Sequence, residues 1–566
     1  MRRCGLLMFT RRDLVRLIIP LIIEQVLAAT VGIADTFMVS SVGEAAVSGV
    51  SLVDSINLLL LNVFAALSTG GSIVASQYLG REDQPSANAA AKQLLTVTTL
   101  VSFGLVAVCM PGSKFILHAL FGSADAAVMG NAEVYFLLSA LSYPFMAVYN
   151  ACAALFRAQG NSKISMMAAL VMNIVNISFN ALFIYGLRLG AAGAALGSLI
   201  ARGVSAAFLL AVLCHHNNRI YLDELKKLEW RPAMIKSILR IGVPNGLENS
   251  MFHIGKLMVA GLITTFGTVA IAANAVGNSV MTMSQMPGAA VSLAMVTVVG
   301  QCVGAGEFPQ AKKYMLGLVG AAHGMNLLLN LILIFALHPI IGLFGLSAAT
   351  AEAAWQICLV CALGNILFWP MSFALPNGLR AANDVKYTMI TSVVSMWVFR
   401  VIFSYILGRY LGMGLLGVWV AMIIDWVFRA AMFMARLLRG RDWFIASTNA
   451  DGQARKLGLD EARIYTPQGD YALFQCALPC REQVYDNRAF VDAMLAPLGE
   501  GDTLIREEDV PRCPHCGRFL VPNLRKDEHF VDALHREGYP RYRDFLERAA
   551  GGRLLLLELG VGFNTP

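Results

Sequence analysis

Long apolar runs separated by short polar connections dominate the chain up to residue 437. Twelve runs are long enough for a transmembrane helix, which needs about 20 mainly apolar residues. They cover residues 15–40, 50–75, 93–118, 131–155, 164–186, 190–213, 237–264, 269–299, 313–337, 352–378, 387–410 and 414–437. A barrel strand crosses the membrane in about 10 residues, so these runs exclude a β-barrel. The pattern predicts an all-α polytopic membrane protein with twelve transmembrane helices.

Charged residues divide the chain into two parts that suit different solvents. Of 566 residues, 57% are hydrophobic and 14% are charged. Residues 1–443 contain 29 basic and 18 acidic side chains, whereas residues 444–566 contain 15 basic and 19 acidic ones. This composition excludes a disordered chain, a disulfide scaffold and a single soluble enzyme, and it indicates a membrane unit with a soluble tail. The net charge of +7 arises in the membrane unit, so the expected partner is a lipid bilayer and not a nucleic acid.

The positive charges of the connecting loops lie mainly on one side of the predicted bundle. The basic side contains Arg2, Arg3, Arg11, Arg12, Arg81, Lys92, Arg157, Lys163, Arg219, Lys226, Lys227, Arg231, Lys236, Lys312, Lys313, Arg380, Lys386, Arg439 and Arg441. The loops of the other side contain only Lys114, Arg188 and Arg409. Basic loops stay in the cytoplasm, so we expect a multi-pass protein of the cell membrane with both termini cytoplasmic.

An internal repeat relates the two halves of the membrane unit. At an offset of 224 residues, Pro20, Glu24, Gln77 and Gly80 align with Pro244, Glu248, Gln301 and Gly304. The offset spans six predicted helices, an even number, so both halves have the same orientation and a pseudo-twofold axis runs along the membrane normal. We therefore predict a first lobe at 1–214, a cytoplasmic linker at 215–236, a second lobe at 237–443 and the tail at 444–566.

Several motifs of the membrane unit resemble those of the multidrug and toxic compound extrusion (MATE) family. They are PLIIEQVLAATVGIADTFMVSSVG, ASQYLGRED, VVGQCVGAGEFPQA and GVWVAMIIDWVFRA. The resemblance covers about residues 1–443. It implies a secondary-active efflux antiporter in which inward movement of H+ or Na+ drives the export of cationic amphipathic compounds by alternating access. A monomeric transporter with small organic cations as substrates is expected.

Ionisable residues inside the predicted spans are candidates for ion coupling. A carboxylate at mid-membrane costs roughly 2.5–3.5 kcal/mol, so it persists where it faces a cavity or a partner. The candidates are Glu24, Asp35, Asp54, Glu248, Lys256 and Arg400. Glu24 and Asp35 are eleven residues apart and share one helix face. Each residue also has a purely structural interpretation, as a buried partner of another helix.

The family resemblance assigns more specific roles to part of this set. Asp35 matches the first-helix aspartate implicated in cation coupling, and Asn176 and Ser198 match neighbouring positions of the fifth and sixth helices. Asn180 stands where the family often has an aspartate, which makes a tight Na+ site less favourable. The asparagines could equally be interhelical hydrogen-bond partners. In the second lobe, Glu248, Lys256 and Arg400 are the candidates, with Arg400 predicted to hold the lobe together.

The tail contains two short-spaced cysteine pairs, Cys476–Cys480 and Cys513–Cys516. Two such pairs are typical of a tetrahedral Cys4 zinc site, and a cytoplasmic location favours zinc over disulfides. The words TPQGDYALFQC and PRCPHCGRFLVPNLR resemble the second half of a sirtuin, with Gln468 at the place of the usual catalytic histidine. The resemblance implies a small α/β domain. The glycine-rich half that would bind the NAD pyrophosphate is missing, so we expect no productive NAD binding.

Two other functions compete with drug export. A lipid-linked precursor flippase would line its cavity densely with basic residues to bind a pyrophosphate. Lys256 and Arg400 are the basic residues assigned to positions deep inside the spans, and this small number favours cationic cargo. An NAD-dependent deacylase or ADP-ribosyltransferase would act through the tail, and the missing half argues against it.

Overall fold

The protein is described as a computed structural model that covers residues 7–122, 125–223, 230–438, 443–447, 450, 460–497 and 504–549. It divides into two compact units, Met1–Leu437 and Leu438–Pro566. Six of the loop cations named above lie outside the described residues: Arg2, Arg3, Lys226, Lys227, Arg439 and Arg441.

The first half of the membrane unit contains seven helices among its described residues. They are α1 Arg11–Ser40, α2 Glu44–Gly80, α3 Gln84–Phe121, α4 Ala126–Leu141, α5 Tyr143–Ala158, α6 Ser162–Asn180 and α7 Ala191–Leu213. A π-helical segment, Ala181–Gly186, continues α6. Thr10 begins α1 with a reciprocal capping box, in which its hydroxyl accepts from the Asp13 N–H while the Asp13 carboxylate accepts from the Thr10 N–H.

The second half repeats this arrangement. Its described helices are α8 Pro232–Thr264, α9 Thr268–Gly304, α10 Phe308–Gly342, α11 Ala348–Leu367, α12 Leu375–Ala381, α13 Val385–Val394 and α14 Gly414–Leu438. π-Helical segments lie at Pro370–Ala374, Ser395–Ile402 and Ser404–Tyr410.

When α6 and α13 are counted together with the π-helical segments that continue them, ten described helices are long and apolar enough to cross a membrane. The number is eleven if the bent pair α4 and α5 forms one span. The predicted seventh span corresponds to α8, which is not among these helices. It contains four charged residues, Lys236, Arg240, Glu248 and Lys256, within its 33 residues. The protein is therefore a mostly helical, multi-pass membrane protein, and the number twelve stays a prediction.

Two predicted spans are less regular than their apolar runs suggested. The run 131–155 is divided at Ser142, where α4 and α5 meet at 48°. The run 352–378 ends its regular helix at Leu367 and continues through the π-helical segment that begins at Pro370. In both places a proline stands at the start of the second segment, where its missing N–H removes a hydrogen bond to the preceding turn.

The two halves meet along α2 and α9 in a pseudo-symmetric contact. The Gln77 side chain donates to the carbonyl of Ala381 at 3.0 Å, and the Gln301 side chain donates to the carbonyl of Ala158 at 2.7 Å. Gly80 and Gly304 lie in the same contact. A Cβ atom on Gly80 would stand 2.0 Å from the Gln301 carbonyl oxygen, and one on Gly304 would stand 2.0 Å from the Gln77 carbonyl oxygen.

The tail contains short strands and helices. Strands β1 (Ile445–Ala446) and β2 (Ile464–Tyr465) pair in parallel. A second sheet has the antiparallel order β4–β3–β5, formed by β3 Gly469–Cys476, β4 Val484–Asp486 and β5 Leu520–Leu524. The described helices of four or more residues are α15 Arg488–Leu495, α16 Ala533–Arg536 and α17 Gly538–Ala549.

Candidate functional site

A chain of hydrogen bonds joins three helices of the first half around Asp35. The Asn180 amide donates to the Asp35 carboxylate at 2.6 Å and to the Asn176 carbonyl oxygen at 3.3 Å. The Asn176 amide in turn donates to the Ser198 hydroxyl at 3.1 Å. We call these four residues, contributed by α1, α6 and α7, the Asp35 cluster.

The helix α6 presents this polar face to the protein interior. Asn173, Asn176 and Asn180 are spaced three and four residues apart, and all three are buried. Gly197 of α7 allows the close approach, because a Cβ atom there would stand 2.0 Å from the Asn180 Oδ1 atom. That oxygen is buried and has no hydrogen-bond partner among the described residues. A carboxylate can accept a proton, and a carboxylate and an unsatisfied amide oxygen can both ligate a hard cation.

Asp54 and Arg202 extend the charge distribution beside the Asp35 cluster. Asp54 accepts hydrogen bonds from the Tyr135 hydroxyl at 3.3 Å and from the Asn57 amide at 3.4 Å. Arg202 donates to the Ser142 hydroxyl at 2.6 Å, and its charge acts on both Asp35 and Asp54. The sequence analysis overlooked Arg202, although its place inside the apolar run 190–213 was a sufficient signal.

Glu24 lies outside the Asp35 cluster, and its counterpart in the second half is Glu248. Glu24 accepts from Arg157 at 2.7 Å and from the Ser165 hydroxyl at 2.7 Å. Glu248 accepts from Arg380 at 2.6 Å. The assignment of Arg157 and Arg380 to loops was wrong. Arg157 lies at the end of α5 and pairs with Glu24, and Arg380 lies at the end of α12 and pairs with Glu248. These ion pairs offset the cost of burying the two carboxylates.

The second half has a predominantly basic cluster. Arg400 lies 3.9 Å from the Asp425 carboxylate, and Arg429 lies 3.8 Å from Glu248. Asp425 also accepts from the Ser395 hydroxyl, and it is fully buried. Lys256 lies over the Phe252 ring, with its Nζ atom 5.1 Å from the ring centroid.

Counting only Lys256 and Arg400 as basic residues deep inside the spans was wrong. Arg429 belongs to α14 and is 3% exposed, and Arg202 belongs to α7. Both these arginines and Asp425 stand inside apolar runs of the sequence, so their position within the helix bundle could have been predicted. What the runs do not give is the partner of each charge, because the partners lie on other helices.

The four cysteines of the tail come together. Their Sγ atoms all lie within 4.8 Å of one another, with Cys476 3.5 Å from Cys516 and Cys480 3.7 Å from Cys513. Zinc–sulfur bonds of about 2.3 Å in a tetrahedron place sulfur atoms about 3.8 Å apart, so the four side chains fit a zinc ion. Backbone N–H groups, chiefly that of His515, lower the pKa of the Cys513 thiol to about 6. A thiolate is the form that binds a metal.

Comparisons with known proteins match this architecture. A family model described as MatE matches residues 20–182 and 241–406. An uncharacterized transporter, YisQ of Bacillus subtilis, is 29% identical over 434 residues, which are 75% of this chain and 93% of that protein. A probable multidrug resistance protein, NorM of Thermotoga maritima, is 26% identical over 442 residues, 76% of this chain and 93% of that protein.

Solved structures and one further relative complete the comparison. A crystal structure of a MATE protein in the bent conformation has a TM-score of 0.70 at 19% identity and covers 75% of this chain and 95% of its own. A MOP superfamily transporter from Pyrococcus furiosus, in which reverse polarity of the binding pocket suggests a different function, has a TM-score of 0.71 at 20% identity and the same coverage. A protein ADP-ribosyltransferase of Staphylococcus aureus is 35% identical over 132 residues, which are 23% of this chain and 41% of that protein.

Proposed function

The chain belongs to the MATE family of multidrug efflux transporters, which are not enzymes, and from this premise we propose that it is a secondary-active antiporter. In this proposal it exports cationic amphipathic compounds in exchange for H+ or Na+. The lobes 1–214 and 237–443 rock about a central site, and 215–236 connects them. Positive charge in the loops supports a cytoplasmic location of both termini. We propose that the transporter works as a monomer.

The hydrogen bond between Asp35 and Asn180 is the observation that carries the proposal. It joins α1 to α6, so a change of charge on Asp35 acts directly on the contact between these two helices. A carboxylate in a membrane helix is costly without a partner, and a neutral amide compensates its charge only in part. This leaves Asp35 suited to bind a further positive charge.

Either coupling ion would alter the same hydrogen bonds. A proton would neutralise Asp35 and weaken its attraction for the Asn180 amide. A sodium ion would be ligated by oxygen atoms of Asp35, Asn176, Asn180 and Ser198, and Asn180 would turn its unsatisfied oxygen toward the ion. An ion that binds one arrangement of α1 and α6 better than the other shifts the population of the two states.

The hydrogen bonds of Gln77 and Gln301 at the α2–α9 contact support alternating access. In the present conformation, side chains of both halves donate to backbone carbonyls of the opposite half at this end of the bundle. Opening this end would require both hydrogen bonds to break together. The binding energy of the coupling ion and of the substrate would have to offset that cost, which ties opening to occupancy of the central site.

The substitution Asp35→Asn tests the coupling site. It keeps the size of the side chain and removes its charge, so we expect it to abolish ethidium efflux from vesicles under both a pH gradient and a Na+ gradient. Asp54→Asn should reduce efflux less. Asp125→Asn is the matched control, because Asp125 is exposed at the start of α4 and makes no capping hydrogen bond.

Three outcomes distinguish the alternatives. Wild-type efflux under only one gradient identifies the coupling ion. Transport by Asp35→Asn at the wild-type rate under both gradients would overturn the first-lobe coupling model, and Glu24 and Glu248 would be tested next. Absence of ethidium efflux by the wild-type protein under either gradient would count against cation export itself.

For the tail we propose one structural zinc ion held by Cys476, Cys480, Cys513 and Cys516. The spacing of the sulfur atoms supports this assignment. The zinc would link the end of β3 to the turn that precedes β5, which are distant in sequence. We propose no NAD chemistry for the tail.

A further inference from the structure

Exposed cations recur at equivalent places of the two halves, where α1 and α6 begin in the first half and α8 and α13 begin in the second. They are Arg12, Arg16 and Lys163 in the first half and Lys236, Arg240 and Lys386 in the second. The two sets are related by the offset of 224 residues on the first helix of each half and by 223 residues on the later helix. None of these side chains forms an ion pair with a described residue. The same unpaired charges therefore stand at the same end of both halves.

In the first half, the basic residues of α1 and α6 project to the same side of the contact between these helices. The Ser162 hydroxyl at the beginning of α6 donates to the Leu17 carbonyl of α1 at 2.7 Å, and the Asp35 cluster joins the two helices toward their other ends. The helices are therefore parallel. Each residue turns by about 100° around the helix axis, so Arg16, which precedes Leu17, and Lys163, which follows Ser162, turn to the same side. Their long side chains can reach one phosphate group.

Exposed apolar side chains continue from these cations along both helices. On α1, Ile19 and Ile23 lie one and two turns beyond Arg16 on the same face. On α6, Met167 and Leu170 lie one and two turns beyond the lysine. A phospholipid has the matching chemistry, because its phosphate can bind the cations while its acyl chains cover the apolar residues.

The second half repeats this surface, since α8 packs against α13. The exposed Val243 and Leu247 follow Arg240 of α8 by three and seven residues, the same spacing as on α1. On α13, the exposed Ile390 follows Lys386 by four residues, as Met167 follows its lysine on α6. Positive charge that only fixes the orientation in the membrane needs no such fixed place beside apolar side chains.

The neighbouring acids leave each surface positive. Asp13 uses its carboxylate for the capping box with Thr10. Asp384 pairs with Arg436 at 2.5 Å. Three cations thus stand beside one acid in the first half, and three stand beside an acid that already has a partner in the second. The complementary lipid is therefore an acidic one, which is the kind that gives the cytoplasmic leaflet its negative potential.

We propose that each of these two surfaces binds one acidic phospholipid. Its phosphate lies between Arg16 and Lys163 in the first half and between Arg240 and Lys386 in the second, and its acyl chains cover the apolar residues beyond them. In the first half the lipid joins α1 to α6, the helices that carry the Asp35 cluster. The inference goes beyond the proposed export function, and it relies on the proposed orientation only for the leaflet that supplies the lipid.

Lipid binding to the purified, delipidated full-length protein tests the proposal. Native mass spectrometry counts the bound lipids while phosphatidylglycerol or phosphatidylcholine with the same acyl chains is added. We expect two tightly bound phosphatidylglycerol molecules and weaker binding of phosphatidylcholine. Arg16→Gln/Lys163→Gln should weaken one of the two sites about 25-fold, because each basic residue beside an acidic lipid contributes roughly a factor of five. Arg16→Lys/Lys163→Arg keeps both charges and should keep both sites.

Two further variants give the second site and the control. Arg240→Gln/Lys386→Gln should weaken the other site by the same factor. Arg219→Gln/Lys313→Gln is the matched control, because it removes two positive charges from exposed residues of other segments, and it should keep both sites. If the control weakens binding as much as the other double variants, binding follows net charge alone and the proposal is overturned.

The lipid itself supplies the remaining outcomes. Equal affinity for phosphatidylcholine and phosphatidylglycerol would overturn the role of the charges. Displacement of the lipid by an equal concentration of glycerophosphoglycerol, its soluble headgroup, would show a site for a free phosphate ester and overturn the role of the apolar residues. Binding is measured without an ion gradient, so its failure leaves the export proposal intact, and a failure of export leaves the two lipid sites intact.

Discussion

Glu24 and Glu248 occupy equivalent positions, yet their environments differ in one respect. Each accepts from an arginine of another helix, Arg157 or Arg380. Glu24 uses its second oxygen for the Ser165 hydroxyl, whereas the second oxygen of Glu248 has no partner among the described residues. Glu248 instead has a second arginine, Arg429, within 3.8 Å of its first oxygen. The two carboxylates thus balance different amounts of positive charge.

This difference predicts different results for removing the pairs. Glu24→Gln and Glu248→Gln should each destabilise the protein by about 3–5 kcal/mol, since each removes the carboxylate partner of a largely buried arginine. Removing the arginine as well, in Glu24→Gln/Arg157→Gln, should recover most of the loss. The corresponding double variant at Glu248 and Arg380 should recover less, because Arg429 still lacks Glu248.

Apparent melting temperatures of the detergent-solubilised full-length variants measure this effect. If both double variants recover the same share of the lost stability, burying Arg429 does not require Glu248 as its partner. Because all four variants change side chains within helices, membrane insertion is checked first by the yield of monodisperse protein.

At the scale of elements, the close contact of α2 and α9 depends on two glycines. Their backbones approach so closely at Gly80 and Gly304 that a methyl group would overlap a carbonyl oxygen of the other helix. Backbone atoms cannot yield as a flexible side chain can, so the helices themselves would have to separate. The same separation would break the hydrogen bonds of Gln77 and Gln301.

We therefore predict that Gly80→Ala lowers both the melting temperature and the rate of drug efflux. The control is Gly104→Ala in α3, where a Cβ atom would meet nothing within 4 Å. That control should be neutral or slightly stabilising, since alanine is favoured over glycine inside a helix by about 1 kcal/mol. Efflux by Gly80→Ala at the wild-type rate would show that the closed α2–α9 contact is not needed for transport.

At the scale of the whole molecule, the family match and the cysteine cluster lie in different units. The family match lies entirely within residues 20–406, and the four clustered cysteines lie entirely beyond it. All the predicted coupling residues also precede the tail. Transport should therefore depend on the first unit alone.

Two full-length proteins, the wild type and one double variant, and one truncation test this separation. Purified wild-type protein should contain about one zinc per chain, and Cys513→Ser/Cys516→Ser should lose it, because two thiolates cannot complete a tetrahedral site. Metal analysis of the purified proteins measures this loss. A chain that ends at residue 443 should keep ethidium efflux. Loss of efflux with normal membrane insertion would show that the tail contributes to transport.

The apolar runs and motifs of the sequence were sufficient to determine the structural class and the family of this protein. Runs of 20 or more residues leave the helix as the only regular way to satisfy the backbone in lipid, and the MATE motifs are local in sequence. Pairs of rare residues such as Pro20 and Pro244 were enough to indicate two related halves. The four cysteines could also be grouped, since their spacing alone is typical of a metal site.

Only the tertiary structure decided which charges meet. Asp35 and Asn180 are 145 residues apart, and Glu248 and Arg380 are 132 apart, so no local pattern connects them. For this reason Arg157 and Arg380 were mistaken for loop charges, and the positive excess around Lys256 was underestimated. The sequence determines that a buried charge needs a partner, because the membrane does not solvate it. The partner depends on how the helices pack, and that packing is a property of the whole bundle.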